Sequence, residues 1–213
     1  MPSVTEVLGY VVEKPLAEWM ARQGLVKAQK IAKEAAFIGT WVDQAIQADL
    51  RGLPLANAQP ASNAVGEAIG NCLKAWQQFL IDHPDFRQSV TGIQTELRDG
   101  ELVAHPDLEL TEVARWGILD SKTASEIRPS HWAQAAKYHA MKAKQFRLVM
   151  PSFIAILRLD KKTGRYEYQE LSDPLFIAEQ LANFEAYYRI FQQGAALREY
   201  FRQQQEQEVL DAS

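Results

Sequence analysis

The chain has 213 residues, 47% of them hydrophobic, which is enough for one domain with a sizeable buried core. Its net charge of −4 argues against a general nucleic-acid coat protein. The single cysteine, Cys72, excludes an internal disulfide, a cysteine-held zinc site and a four-cysteine iron–sulfur cluster.

The N-terminal residues carry no basic segment and no small-residue cleavage site, so no secretory signal is predicted. The chain also lacks an apolar run of the ~18 residues that a membrane span needs. We therefore expect a cytoplasmic protein without a membrane partner, and the sequence leaves its oligomeric state open.

Residues 1–90 are predicted to be mostly helical. A first helix is expected to place Leu16, Trp19 and Met20 on one face. The clearest amphipathic pattern covers 28–50, and its polar stripe contains Thr40, Asp43 and Gln47. A further helix is expected over 63–81, where His83-Pro84 ends it.

The second half of the chain alternates strands with helices. Strands are predicted at 92–98 and 101–110 around an Asp99-Gly100 turn, at 116–122, and in a hairpin of 152–159 with 165–171. A helix capped by Ser130 is expected over 131–146, and a long one begins at Pro174. This order predicts an α/β (α+β) fold with a small mixed sheet flanked by helices.

We interpret the whole chain, 1–213, as one domain with three parts. Residues 1–90 would form a helical segment that covers the site. Residues 91–172 would supply the sheet and helix that carry the chemistry, and residues 173–213 would add a C-terminal helix and tail.

Acidic residues near two predicted strand ends indicate a metal site. Side chains alternate along a strand, so Asp120 and Lys122 share a face, whereas Ser121 points away and offers its carbonyl. If the strands pair, Asp107 and Asp120 come within reach of one Mg²⁺, which prefers such hard oxygen ligands. Lys122 would then orient a water molecule or stabilise developing negative charge.

An Asp-x-Lys motif is not specific by itself. A second copy, Asp160-Lys161-Lys162, falls in a predicted turn, where it is expected to be solvated surface. The simpler interpretations are a turn acid for Asp107 and an exposed ion pair for Asp120 with Lys122. A Pro-Asp on one strand, an Asp-x-Lys at the end of the next strand and a helix after it together favour the metal site.

Positive charge is concentrated around the predicted 131–146 helix. Between Arg115 and Arg147 there are seven basic residues and two acidic ones. The cluster is either a solvated helix face or a phosphate-binding surface that makes DNA binding salt-sensitive. The candidates for phosphate contact are Lys137, Lys142, Lys144 and Arg147.

Pro106-Asp107 followed by Asp120-Ser121-Lys122 resembles the motif of the PD-(D/E)XK nuclease superfamily. Gln134-Ala-Ala-Lys-Tyr138 resembles the Q-x-x-x-Y motif of its RecB-type exonuclease branch. Gly39-Thr40-Trp-Val-Asp43 resembles the G-T-x-x-H motif of that branch. The opening residues are also similar to those of mitochondrial genome maintenance exonucleases and phage recombination nucleases.

This resemblance implies a restriction-endonuclease-like core and a deoxyribonuclease that depends on Mg²⁺ or Mn²⁺. It would act in recombination, repair or the processing of phage and mobile-element DNA. The implied metal ligands are Asp107, Asp120 and the Ser121 carbonyl, with Lys122 catalytic and Glu96 as an assisting acid. Gln134 and Tyr138 would contact DNA or brace the site.

The chain departs from the family pattern at two places. Asp43 stands where the family has histidine, and we expect it to bind the metal because aspartate is a hard ligand that suits Mg²⁺. The family usually has a small, glycine-containing segment directly before the motif aspartate. Ala104-His105-Pro106 stands there instead, which leaves His105 near the site without a role. Cysteines that could hold an iron–sulfur cluster are absent.

The leading hypothesis is an exonuclease that prefers single-stranded DNA, since a strand entering beneath a helical cover must be threaded from an end. One alternative is a non-catalytic nucleic-acid-binding or scaffold protein with a decayed site. Asp43 favours that alternative, whereas the intact set of Asp107, Asp120 and Lys122 disfavours it. A hydrolase or lyase acting on a small phosphorylated molecule would need a closed pocket.

Overall fold

The computed structural model describes residues 1–10, 22–54, 60, 62–149 and 151–211. Its strands are β1 (Val90–Ile93), β2 (Leu97–Asp99), β3 (Leu102–Ala104), β4 (Leu108–Thr111), β5 (Trp116–Lys122), β6 (Ser152–Leu159) and β7 (Tyr166–Leu171). Its helices are α1 (Val4–Tyr10), α2 (Leu25–Leu50), α3 (Asn63–Asp82), α4 (Phe86–Ser89), α5 (Pro129–Phe146) and α6 (Pro174–Asp211).

A mixed five-stranded sheet in the order β1-β4-β5-β6-β7 forms the centre of the fold. Only β5 and β6 run parallel, and α5 makes the crossover that a parallel pair requires. The other neighbours are antiparallel, with Leu108 opposite Leu119 in the β4–β5 pair. Together with the flanking helices and the long α6, this sheet confirms the predicted fold class.

Both faces of the sheet are buried, which explains the nearly continuous apolar run of β6. Ala155 and Leu157 face a core shared with α2 and α3, which contains Val42 and Phe79. Ile154 and Ile156 face α5 and α6 on the other side. Every helix in the described residues is too short or too polar to cross a membrane.

The predicted strands 92–98 and 101–110 are each divided in the structure. Gln94 adopts a positive φ of 55°, which ends β1 before the hairpin begins. Pro106 lacks the N–H that a continuous strand would need, so β3 and β4 are separate. As a result β2 and β3 form their own small sheet, and the Asp99-Gly100 turn lies at its hairpin as predicted.

The helix predictions are confirmed within a few residues at α2, α3 and α6. Ser62 caps α3, where its Oγ accepts a hydrogen bond from Val65 N at 3.3 Å. Ser130 does not cap α5, because Pro129 is already the first helical residue and the backbone N–H of Arg128 donates to His131 Nδ1. The predicted helix at Leu16, Trp19 and Met20 lies outside the described residues.

Candidate active site

A cavity of about 500 Å³ lies at the carboxyl end of β5, between α1, α2 and α5. The sequence-predicted residues that line it are Thr40, Asp43, Asp107, Asp120, Ser121, Lys122, Gln134 and Tyr138. The fold thus brings together motifs that are separated by up to 98 positions in the chain. His105 also lines the cavity, and its Nδ1 lies 3.5 Å from the carbonyl oxygen of Gln94.

The pairing of β4 with β5 places Asp107 beside the end of β5. Leu108 lies opposite Leu119, so Asp107 and Asp120 are the next positions in this antiparallel register. Asp107 Oδ2 accepts hydrogen bonds from the backbone nitrogen of Ser121 at 2.7 Å and from Ser121 Oγ at 2.8 Å. These contacts fix one oxygen of the Asp107 carboxylate against the tip of β5.

The side chain of Ser121 therefore does not point away from the site residues, and that prediction is wrong. Asp107 lies in a bend before β4 rather than within a strand, so its carboxylate reaches the side of β5 on which Ser121 lies. Gln94 holds the other oxygen, since its Nε2 donates to Asp107 Oδ1 at 3.0 Å.

The buried Asp120 forms an ion pair with the partly buried Lys122, which agrees with their predicted common face. Asp120 is only 1% exposed, and no other donor reaches its Oδ2 within the described residues. Burial, with a smaller contribution from the charges of Asp107 and Asp43, raises the pKa of Asp120 to about 7, although Lys122 opposes this shift. Burial disfavours the Lys122 ammonium, but Asp120 and Asp107 outweigh it, so the pKa of Lys122 is raised.

Asp43 lies on the wall that α2 contributes to the cavity. Burial and the charge of Asp107 raise the pKa of Asp43 to about 6, against a hydrogen bond that Gln47 Nε2 donates to its Oδ2 at 2.8 Å. Within the described residues, no three His, Cys, Asp or Glu side chains converge into a group that could hold a metal ion. A direct ligand role for Asp43 therefore stays a prediction.

Gln134 and Tyr138 lie one turn apart on α5 and contact each other. Gln134 Nε2 donates to the Tyr138 hydroxyl oxygen at 2.7 Å, and Thr5 Oγ1 lies 3.5 Å from both polar groups. Burial raises the pKa of Tyr138 to about 12, so its hydroxyl keeps its proton at neutral pH. Gln134 and Tyr138 thus offer neutral hydrogen-bond donors, and Thr5 on α1 contacts both of them.

Glu96 does not line the cavity. Its carboxylate instead pairs with Arg98 at 2.7 Å, and its side chain is 48% exposed. The division of the predicted 92–98 strand explains this, because Glu96 falls in the connection between β1 and β2. The structure does not support the predicted role of Glu96 as an assisting acid.

The predicted basic face of α5 is wrong for Lys137 and Lys142, because both side chains are buried. Lys137 Nζ contacts Asp99 at 3.0 Å and Glu185 at 2.9 Å. Lys142 Nζ contacts Glu109 at 2.9 Å. A count of charges within 115–147 does not include these acids, which come from β2, β4 and α6.

Lys144 and Arg147 are exposed at the end of α5. Lys144 pairs with Asp99 at 2.5 Å, and its side chain is 71% exposed. A phosphate-binding role for Lys144 and Arg147 stays a prediction.

Gln94 and Thr5 are residues of the site that the sequence patterns did not predict. Gln94 reaches Asp107 because of its positive φ, a conformation for which a glutamine gives no sequence signal. Thr5 enters the cavity because Val4 and Val7 are fully buried and fix α1 in place. The apolar spacing of those valines indicates that α1 packs on the domain, but not where it packs.

Comparisons with known proteins assign no family to the chain. No protein-family model matches it, and no curated protein matches it. Among solved structures, the chain is similar to LHK-Exo in complex with dAMP, with 15% sequence identity and a TM-score of 0.37. That similarity covers 74% of this chain and 84% of the other. At this level neither the fold family nor any activity can be transferred.

Proposed function

We propose that the chain is a metal-dependent deoxyribonuclease of the PD-(D/E)XK type. The observation that carries this proposal is the cavity that holds Asp107, Asp120 and Lys122 together, with Asp120 almost completely buried. A buried carboxylate beside further acids is costly for a purely structural site, because desolvation and repulsion both oppose its charge. Such perturbed groups in a cleft are typical of functional sites.

The residues present fit Mg²⁺ or Mn²⁺. Asp107 and Asp120 offer hard oxygen atoms, and Asp120 Oδ2 receives no donor other than Lys122 among the described residues. Two carboxylates are enough for Mg²⁺, which usually keeps several water ligands. When bound, the cation would offset the repulsion between the acids and stabilise negative charge on the phosphate.

Other residues of the cavity would stabilise charge, orient the Asp107 carboxylate and bind the substrate. The Lys122 ammonium stays protonated next to Asp120 and can stabilise negative charge on a phosphate in the cavity. Ser121 and Gln94 hold the Asp107 carboxylate in one orientation, so it need not reorganise when substrate binds. Gln134 and Tyr138 supply neutral donors for a sugar–phosphate chain.

The proposal is tested with end-labelled single- and double-stranded DNA in Mg²⁺, Mn²⁺ or EDTA. We expect cleavage with either metal, none with EDTA, and faster cleavage of single strands. DNA binding without cleavage under any of these conditions would favour the non-catalytic alternative.

Linear single-stranded DNA should be degraded faster than covalently circular DNA of the same sequence. The cavity lies between α1, α2 and α5, so a strand would have to enter it from a free end. Labelled products should appear as a stepwise ladder from one end. Equal rates on the linear and circular substrates would instead indicate an endonuclease.

Replacement Asp43→Asn should raise the metal concentration needed for half-maximal cleavage. Asp43 shares the cavity with Asp107 and interacts with its charge, so the substitution removes negative charge that favours a cation. The measurement is the rate of cleavage against Mg²⁺ concentration. Asp85→Asn, at an exposed position before α4, is the matched control. An unchanged metal requirement would remove Asp43 from the proposed metal site.

A further inference from the structure

A chain of hydrogen bonds along α2 joins the cavity to a second charged position. Gln47 Nε2 donates to Asp43 Oδ2 at 2.8 Å, and Arg51 Nη1 donates to Gln47 Oε1 at 3.3 Å. Arg51 directly follows α2 and keeps helical backbone angles, and it lies two four-residue steps from Asp43, which corresponds to a rise of about 12 Å. Arg51 therefore lies on the same side of α2 as the site acid, a short distance along the surface.

Arg51 lines a groove of about 310 Å³ together with Leu50, Arg87 and the residues of β1. In the sheet order β1 is a terminal strand, so the sheet does not continue past it on this side. Directly after β1 the chain reaches Gln94, which lines the cavity and donates to Asp107. Both α2 and β1 thus lead from the proposed reaction centre to this groove.

The two arginines of the groove differ in their partners. Arg87 is neutralised by Asp49, whose Oδ2 lies 2.7 Å from Arg87 Nη2. Among the described residues, the Arg51 guanidinium donates only to neutral acceptors, Gln47 Oε1 and the Ile93 carbonyl oxygen, the latter at 3.5 Å. It forms no ion pair with any residue that the structure describes. Its exposed guanidinium therefore keeps a full positive charge and spare donors suited to phosphate.

We propose that Arg51 binds a backbone phosphate of the substrate, a few nucleotides away from the bond that is cut. This proposal rests on the proposed nuclease function and adds the path of the DNA strand. An extended single strand fits the geometry, because the path begins at a cavity between helices and ends at a groove in which Arg51 has no acidic partner among the described residues. The path runs along α2 and β1 rather than over Lys137 and Lys142 on α5.

The test measures the affinity of the protein for oligonucleotides in EDTA, which prevents cleavage, over a range of salt concentrations. The variant is Arg51→Gln, which removes the charge but keeps a polar amide that can donate hydrogen bonds. Fluorescent single-stranded oligonucleotides of about twelve nucleotides are compared with a dinucleotide, whose single phosphate cannot lie in the cavity and at Arg51, ~12 Å further along α2, at the same time. Thermal melts establish that the variant is folded.

We expect Arg51→Gln to bind the longer strand about fivefold more weakly at 0.1 M salt, with a salt slope smaller by ~0.7, as for the loss of one phosphate contact. Dinucleotide affinity should not change, and Arg51→Lys should retain the slope. Arg198→Ala removes the same charge from α6, which packs on α5 and α1 rather than on β1, and it should match the parent protein.

Three results would overturn the proposal, and they differ in what else they imply. If Arg51→Gln binds the longer strand with the parent affinity and slope, the path is wrong while the nuclease function stands. If the parent protein neither binds nor cleaves single-stranded DNA, the proposed function fails together with this inference. An equal loss for the longer strand and the dinucleotide would place the effect of Arg51 inside the cavity and would also contradict the path.

Discussion

The replacement Lys122→Ala is expected to reduce DNA cleavage by about 10²-fold or more, because it removes the cation that pairs with Asp120. The measurement is single-turnover cleavage of end-labelled single-stranded DNA in Mg²⁺. Lys162→Ala is the matched control, since Lys162 belongs to the second Asp-x-Lys copy and lies exposed in the turn after β6. Parent-like turnover by Lys122→Ala would contradict the catalytic role assigned to Lys122.

The stability of Lys122→Ala should depend on pH, which separates misfolding from lost chemistry. The pKa of Asp120 is already raised to about 7 by burial, and the loss of Lys122 raises it further. A carboxyl group with a raised folded-state pKa contributes stability below its unfolded pKa, and this stability is lost as pH rises through the folded value. The difference in melting temperature between Lys122→Ala and the parent protein should therefore be smaller at about pH 6 than at about pH 8.

The replacement Lys142→Met is expected to destabilise the fold by about 3–5 kcal/mol, the range for removing one partner of a buried ion pair. Glu109 is only 7% exposed, and its Oε1 already lacks a hydrogen-bond partner among the described residues. Without Lys142, its charge would be buried and uncompensated. The measurement is the free energy of unfolding from urea denaturation.

Two further variants test this interpretation of Lys142. Adding Glu109→Gln to Lys142→Met should restore part of the lost stability, because the unpaired charge is removed. Lys144→Ala should change stability by less than about 1 kcal/mol, as for a surface ion pair. If Lys142→Met left stability unchanged and weakened DNA binding instead, the predicted basic face of α5 would have been correct.

Local sequence patterns predict much of this molecule. The two-residue period of a strand places Asp120 and Lys122 on one face, and the ion pair between them agrees with it. The helical period predicts α2 and its polar stripe, in which Asp43 and Gln47 form a hydrogen bond. These features depend on residues that are close in sequence, so their geometry follows from one element.

Several features that depend on distant residues were not predicted. Lys137 and Lys142 appear solvated in a local count of charge, yet their acidic partners come from other elements. Gln94 reaches Asp107 only through a turn, and Arg51 reaches the Ile93 carbonyl of β1 only when that strand packs beside α2. In each case the deciding contact is made when the elements pack.

The most direct test of the metal site is calorimetric titration of Mn²⁺ into the protein at about pH 8, above the pKa of about 7 for Asp120. The parent protein should bind Mn²⁺, whereas Asp107→Asn and Asp120→Asn should each bind it much more weakly while remaining folded. Parent-like Mn²⁺ binding by both variants, or no binding by the parent protein, would contradict a metal site at Asp107 and Asp120.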